Sequence, residues 1–141
     1  MVFTLSSNIT EELLNIIQVD DRDQIIENYT LIGKKLNELF PTGSEPKNLY
    51  TAANHLLGRG KMLRPLLILL VNQNLGSKNI NKIIKLSMAV ELLHTASVIH
   101  DDIIDEADYR RGLPSIHKKF GNETAIVTGD LLISMAIKIT S

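Results

Sequence analysis

The 141-residue chain contains no cysteine, which excludes disulfides and thiolate metal ligands and leads us to expect a reducing, cytoplasmic setting. Its formal net charge of −1 gives no bulk electrostatic reason for nucleic acid or an anionic membrane to be the main partner. Long apolar runs are missing as well. The longest unbroken aliphatic stretch, Leu66 to Val71, is far short of a bilayer span, so no transmembrane segment is expected. The start, Met1-Val2-Phe3-Thr4-Leu5, has neither a basic region nor an extended apolar stretch, and no signal peptide is expected there. Period-two alternation, internal repeats and low-complexity tracts are absent too. What is present is 44% hydrophobic residues, enough for one core and therefore for one domain or part of one.

The apolar residues recur with helical spacing. Ile25, Tyr29, Ile32, Leu36 and Leu39 step by three and four, with Lys34, Lys35, Asn37 and Glu38 between them, which predicts an amphipathic helix ending before Pro41. The Pro41 to Pro46 stretch, with Gly43 and Ser44, reads as a turn. A second helix is predicted over about Leu49 to Leu57, closed by Gly58 and Gly60. A third begins near Met62, with Pro65 in its first turn, and ends near Gly76. Asn79 is a candidate N-cap for a fourth helix, apolar nearly all round and running to Ile104, as suits the middle of a bundle. A last helix is expected over Glu123 to Ile139, with Gly129 inside it. The fold class expected is all-α.

The polar residues of the fourth helix carry the functional signal. Asp101, Asp102 and Asp105 occupy positions i, i+1 and i+4, so on a helix Asp101 and Asp105 lie one turn apart and repel each other by a few tenths of a kcal/mol. Stepping back by three and four places Ser97 and His94 on the same stripe. Clustered carboxylates of this kind suit a hard cation such as Mg2+, whose shell is commonly completed by water and substrate phosphate. Cations flank them on both sides. Lys61 and Arg64 stand at a helix start, where free N–H groups and the helix dipole already favour an anion, and Arg110 with Arg111 could add bidentate phosphate contacts. Two cationic clusters and one acidic cluster point to two polyanionic ligands, one held directly and one through metal. Solvated helix ends and loop charges are the plain alternatives for each cluster taken alone.

Taken together, GRGKMLRP, ELLHTASVIHDDIID, YRRGLPSIHKKFG and GDLLI, in that order, resemble the N-terminal half of a trans-isoprenyl (polyprenyl) diphosphate synthase, over nearly everything from Leu57 to Ile139. The resemblance implies an all-α bundle of the isoprenoid synthase type, with residues 1–141 as the N-terminal part of a single domain. It implies Mg2+-dependent condensation of isopentenyl diphosphate with an allylic diphosphate, and a homo- or hetero-oligomer. By position it implies that Asp101 and Asp105 ligate Mg2+ with Asp102 supporting, that Lys61, Arg64, His94 and Arg111 hold the diphosphate of isopentenyl diphosphate, and that Arg110 contacts the allylic one. Ala96 and Ser97 fall where family members carry the floor on which the product tail lands. With Leu93 and Ile137 nearby, their small size resembles long-chain synthases. The family's second aspartate-rich motif, which belongs to a C-terminal half, is not found in these 141 residues.

Two other classes fit parts of the pattern. A non-catalytic subunit of a heteromeric synthase would tolerate loss of the aspartates, which are intact here. An HD-type metal phosphohydrolase would use His100-Asp101 with His55, His94 and Asp130, which leaves Lys61, Arg64, Arg110 and Arg111 without a role.

Overall fold

A computed structural model describes residues 22–76 and 79–141. The N-terminal stretch read above for a signal peptide lies outside the described residues. The elements in chain order are α1 (Arg22–Glu38), α2 (Lys47–Leu56), α3 (Leu63–Leu75), α4 (Ile80–Ile104), a hairpin of β1 (Tyr109–Arg110) and β2 (Leu113–Pro114), α5 (Ile116–Phe120) and α6 (Asn122–Thr140). The all-α expectation holds for everything except the hairpin and matches the helix boundaries to within a few residues.

Each helix forms where one face can be buried. On α1, Ile25, Tyr29, Ile32 and Leu36 turn inward at helical spacing, and Phe40 continues the buried row beyond the helix. Helix α3 stops at Gly76, whose left-handed backbone lets its N–H reach the carbonyls of Asn72 and Gln73. Helix α4 starts where the Asn79 side chain accepts from the N–H of Lys82.

Helix α4 is the axis of the bundle. It packs most extensively on α6 and next on α3, and its Leu92, Ala96 and Ile99, like Leu132 of α6, are fully buried. By length and composition it could cross a membrane, and half of its most apolar window is buried in the bundle. That apolarity follows from its central place, since it meets neighbours on several sides.

The hairpin and α5 were not evident from the sequence. Arg111 and Gly112 both have positive φ, 53° and 75°, as a two-residue turn with the twist of the flanking strands requires. Tyr109 pairs with Pro114 and Arg110 with Leu113. Runs of two residues are too short to show alternation. Just after them, buried Ser115 ties the loop together, its N–H donating to Asp108 O and its hydroxyl to Ala107 O. This loop sets where the two arginines stand.

Candidate active site

The cation cluster is built on the turn between α2 and α3. Leu57 N–H closes α2 on Ala53 O, and Gly58 turns the chain with a φ of 70°. Met62 follows with a left-handed backbone, φ 40°, and a buried side chain, an unusual state for a non-glycine residue. The Tyr29 hydroxyl of α1 donates to Lys61 O at 2.7 Å, anchoring the strained turn from the opposite side. Tyr29 was legible as a core residue, but not as this anchor. Its neighbours give no local signal for a contact 32 residues away.

A cavity of about 460 Å³ opens over this turn and is lined by Arg59, Lys61, Arg64, Glu91, His94 and Arg111, with Gly60 in its wall. Three separate segments meet there: the α2–α3 turn with the start of α3, the middle of α4, and the hairpin turn. Arg111 Nη1 lies 3.5 Å from Leu56 O as donor, and its guanidinium rests against Gly60 so closely that a Cβ there would stand 2.6 Å from Nη1. All four residues expected to hold the isopentenyl diphosphate therefore share one cavity. Arg59 and Glu91 join them.

Inside the cavity, Glu91 is only 2% exposed, and burial raises its pKa while Arg111 and Arg64 act in the opposite direction. Burial lowers the pKa of His94, and Arg64 and Arg111 lower it further. The wall is therefore set to favour anionic or neutral groups near the arginines.

The aspartates divide by face. Asp101 and Asp105 are exposed on one side of α4, on the same stripe as Ser97, whereas Asp102 is 1% exposed and points inward. Arg110 donates to Asp102 Oδ1 through Nε at 2.8 Å and also through Nη2, while Asp102 Oδ2 is buried without a hydrogen-bond partner. Asp102 thus holds Arg110 in place. The bond to Asp102 also raises the pKa of Arg110. Among the described residues no group of three His, Asp or Glu side chains is gathered as a ready metal cage. The carboxylates available to a cation are the open pair, Asp101 and Asp105, at the negative end of the α4 dipole. Hard oxygen donors facing solvent fit Mg2+, which retains water and takes few protein ligands.

The product-length residues also divide. Ala96 is 1% exposed within the core, and Ser97 is exposed with its hydroxyl donating to His94 O. Leu93, Ile104 and Ile137 are among the exposed large apolar side chains. Of the residues required by the hydrolase alternative, His100 and Asp130 come near each other, whereas His94 lines the cationic cavity and His55 is engaged elsewhere. His55 bonds to Pro114 O at 2.8 Å and packs edge-on against Phe120, while His100 reaches Ile126 O and stands 3.9 Å from Asp130.

Fold and site together define an almost wholly helical protein whose central helix lines a cationic cavity at its middle and carries an open carboxylate pair at its C-terminal end. Residues 46–141 match the family described as Polyprenyl synthetase, and the chain belongs to that family. It is 39% identical over 120 residues to a geranylgeranyl diphosphate synthase of Methanosarcina mazei, covering 84% of this chain and 36% of that protein. It is 42% identical over 96 residues to heptaprenyl diphosphate synthase component 2 of Geobacillus stearothermophilus, covering 67% of this chain and 30% of that one. Among solved structures, the geranylgeranyl pyrophosphate synthetase of the archaeon Geoglobus acetivorans superposes with a TM-score of 0.74 at 40% identity, over 82% of this chain and 37% of that one. The chain thus spans about a third of the length of these relatives.

Proposed function

We propose that this chain forms one wall of a Mg2+-dependent trans-prenyl diphosphate synthase that joins isopentenyl diphosphate to an allylic diphosphate. The observation that carries the reading is the convergence of Lys61, Arg64, His94 and Arg111 from three segments on one cavity. In this reading those four residues hold the diphosphate of isopentenyl diphosphate. Asp101 and Asp105 hold Mg2+ against the allylic diphosphate, and Arg110, oriented by Asp102, contacts that second ligand.

The chemistry favours this division. Ionising an allylic C–O bond places negative charge on the departing diphosphate, so cations aimed at it stabilise the transition state more than the ground state. Mg2+, when bound, supplies charge neutralisation at the leaving oxygens. The protein side chains orient: the cavity fixes the second substrate so that its double bond can meet the allylic carbon.

Two of the relatives bear geranylgeranyl names, shorter than the long-chain products expected from the sequence, and a third bears a heptaprenyl name. We assign control of product length to Ala96 and Ser97 as the floor. In an active assembly, Ala96→Phe should shorten the product, and an unchanged product spectrum would remove that role. The name of the Geobacillus relative, a component 2, supports a two-component assembly as the alternative to a homo-oligomer.

The direct test is calorimetric titration of the chain with an allylic diphosphate and, separately, with isopentenyl diphosphate, each with and without Mg2+. Combined Asp101→Ala and Asp105→Ala should abolish the Mg2+-dependent part of allylic diphosphate binding and leave isopentenyl diphosphate binding intact. Unchanged Mg2+-dependent affinity in the double variant would sink the site assignment.

A further inference from the structure

An anion-binding cavity is an unexpected place for a buried carboxyl group. Glu91 lies in the middle of α4, 2% exposed, and lines the same cavity as Arg59, Lys61, Arg64, His94 and Arg111. The groups facing it are Arg64 from α3, Arg111 from the hairpin turn, Arg59 and Lys61 from the α2–α3 turn, and His94 from its own helix one turn on. A glutamate buried against a phosphate-binding wall repels the ligand if ionised, and a cluster of cations with no anion repels itself. Both costs are removed if the carboxylate serves the empty cavity and is neutralised in the filled one.

We propose that Glu91 is a positioning residue for the cavity, a resident counter-ion that holds Arg64 and Arg111 on the wall and takes up a proton when a diphosphate takes those cations over. The proposal deepens the reading of the cavity as a diphosphate site and rests on it. Bond and proton accounting is simple, since no covalent bond changes and the proton comes from solvent or buffer. Three features support it. The carboxyl is secluded from water and shares the cavity with Arg64 and Arg111, whose charges act on it against the effect of burial. Arg111 is already fixed on its other side by Leu56 O and by its close fit on Gly60, so its position survives the exchange. Burial also raises the Glu91 pKa, which brings protonation within reach once the arginines are engaged elsewhere.

The experiment is titration of the 141-residue chain with inorganic diphosphate, without metal, in two buffers of different ionisation enthalpy over a series of pH values. The wild type, Glu91→Gln and His94→Asn are compared, together with Glu91→Gln in the His94→Asn background. Subtracting variants cancels the protons taken up by the ligand itself, and the His94 background removes the imidazole. The wild type should take up close to one proton more than Glu91→Gln, on the order of the full linkage of a single site, with or without His94. Its affinity should fall by up to about tenfold per pH unit above the ionisation of Glu91, while Glu91→Gln shows a flatter profile. Equal proton uptake and parallel pH profiles in the wild type and Glu91→Gln would overturn the proposal while leaving the cavity reading intact. Absence of diphosphate binding in the wild type, or undiminished binding in Arg64→Met, would overturn the cavity reading and the proposal with it. Circular dichroism of each variant verifies that the comparison is between folded proteins.

Discussion

Asp101, Asp102 and Asp105 are chemically identical but carry different loads, and burial separates them. Asp102 is enclosed and bonded to Arg110, whose side chain is 38% exposed, so removing the carboxylate strands a half-buried guanidinium and unties the hairpin loop. Asp102→Ala should therefore destabilise the fold by on the order of 3 kcal/mol, read as a lower denaturant midpoint at constant slope. Asp101→Asn and Asp105→Asn, on the open face, should change stability by less than about 0.5 kcal/mol. Equal losses at all three positions would contradict the division of roles. Gly60 offers a second contrast, because a Cβ there would meet the flexible end of Arg111 rather than backbone. Gly60→Ala should cost less than about 1 kcal/mol of stability yet weaken diphosphate binding roughly tenfold, by displacing a cavity cation. Binding at wild-type strength would show that Arg111 does not need that seat.

The helices were legible because their signals are local: the apolar spacing of α1, the N-cap Asn79 and the C-terminal Gly76 each act within a turn or so. The cationic cavity was legible as a list of residues, through the order of its motifs. What was hidden depends on contacts across the chain, such as Tyr29 on Lys61 O, Glu91 among the arginines and Asp102 on Arg110. The hairpin was hidden for another reason, since paired strands of two residues have no periodicity to read. Gly129 illustrates the same limit at the α4–α6 interface. In sequence it is a tolerated helix glycine, but in the fold its missing side chain makes room for the His100 ring, whose Nε2 would lie 2.2 Å from an added Cβ. A ring on a rigid helix cannot retreat easily. Gly129→Ala should therefore destabilise the protein by about 2 kcal/mol through overpacking, despite the gain of nearly 1 kcal/mol that alanine brings to a helix. A stabilised variant in chemical denaturation would show that His100 is not clamped there.

Across the whole molecule, a row of apolar side chains faces outward. Leu63, Leu67, Val71 and Leu75 recur every four residues along α3, exposed by 44, 61, 47 and 78%. On α4 and α6, Leu86, Leu93, Ile126 and Ile137 are also exposed. Isolated exposed leucines are ordinary, but a stripe along about 18 Å of one helix is a surface that water solvates poorly and that neighbouring protein covers. The relatives possess much more chain than the part matched here. A second copy of the chain can supply such cover. The chain should therefore associate reversibly in a concentration-dependent way. Replacing Leu67 and Leu75 by Gln together should weaken that association by on the order of 2 to 4 kcal/mol, as loss of two leucines buried on association implies. Monomer stability should change by less than about 1 kcal/mol, because neither side chain contributes to the core. Sedimentation velocity over a concentration series reads the first effect and denaturant unfolding the second. Association that persists unchanged in the double variant would move the contact to another face, while a large loss of monomer stability would show that the stripe belongs to the core after all.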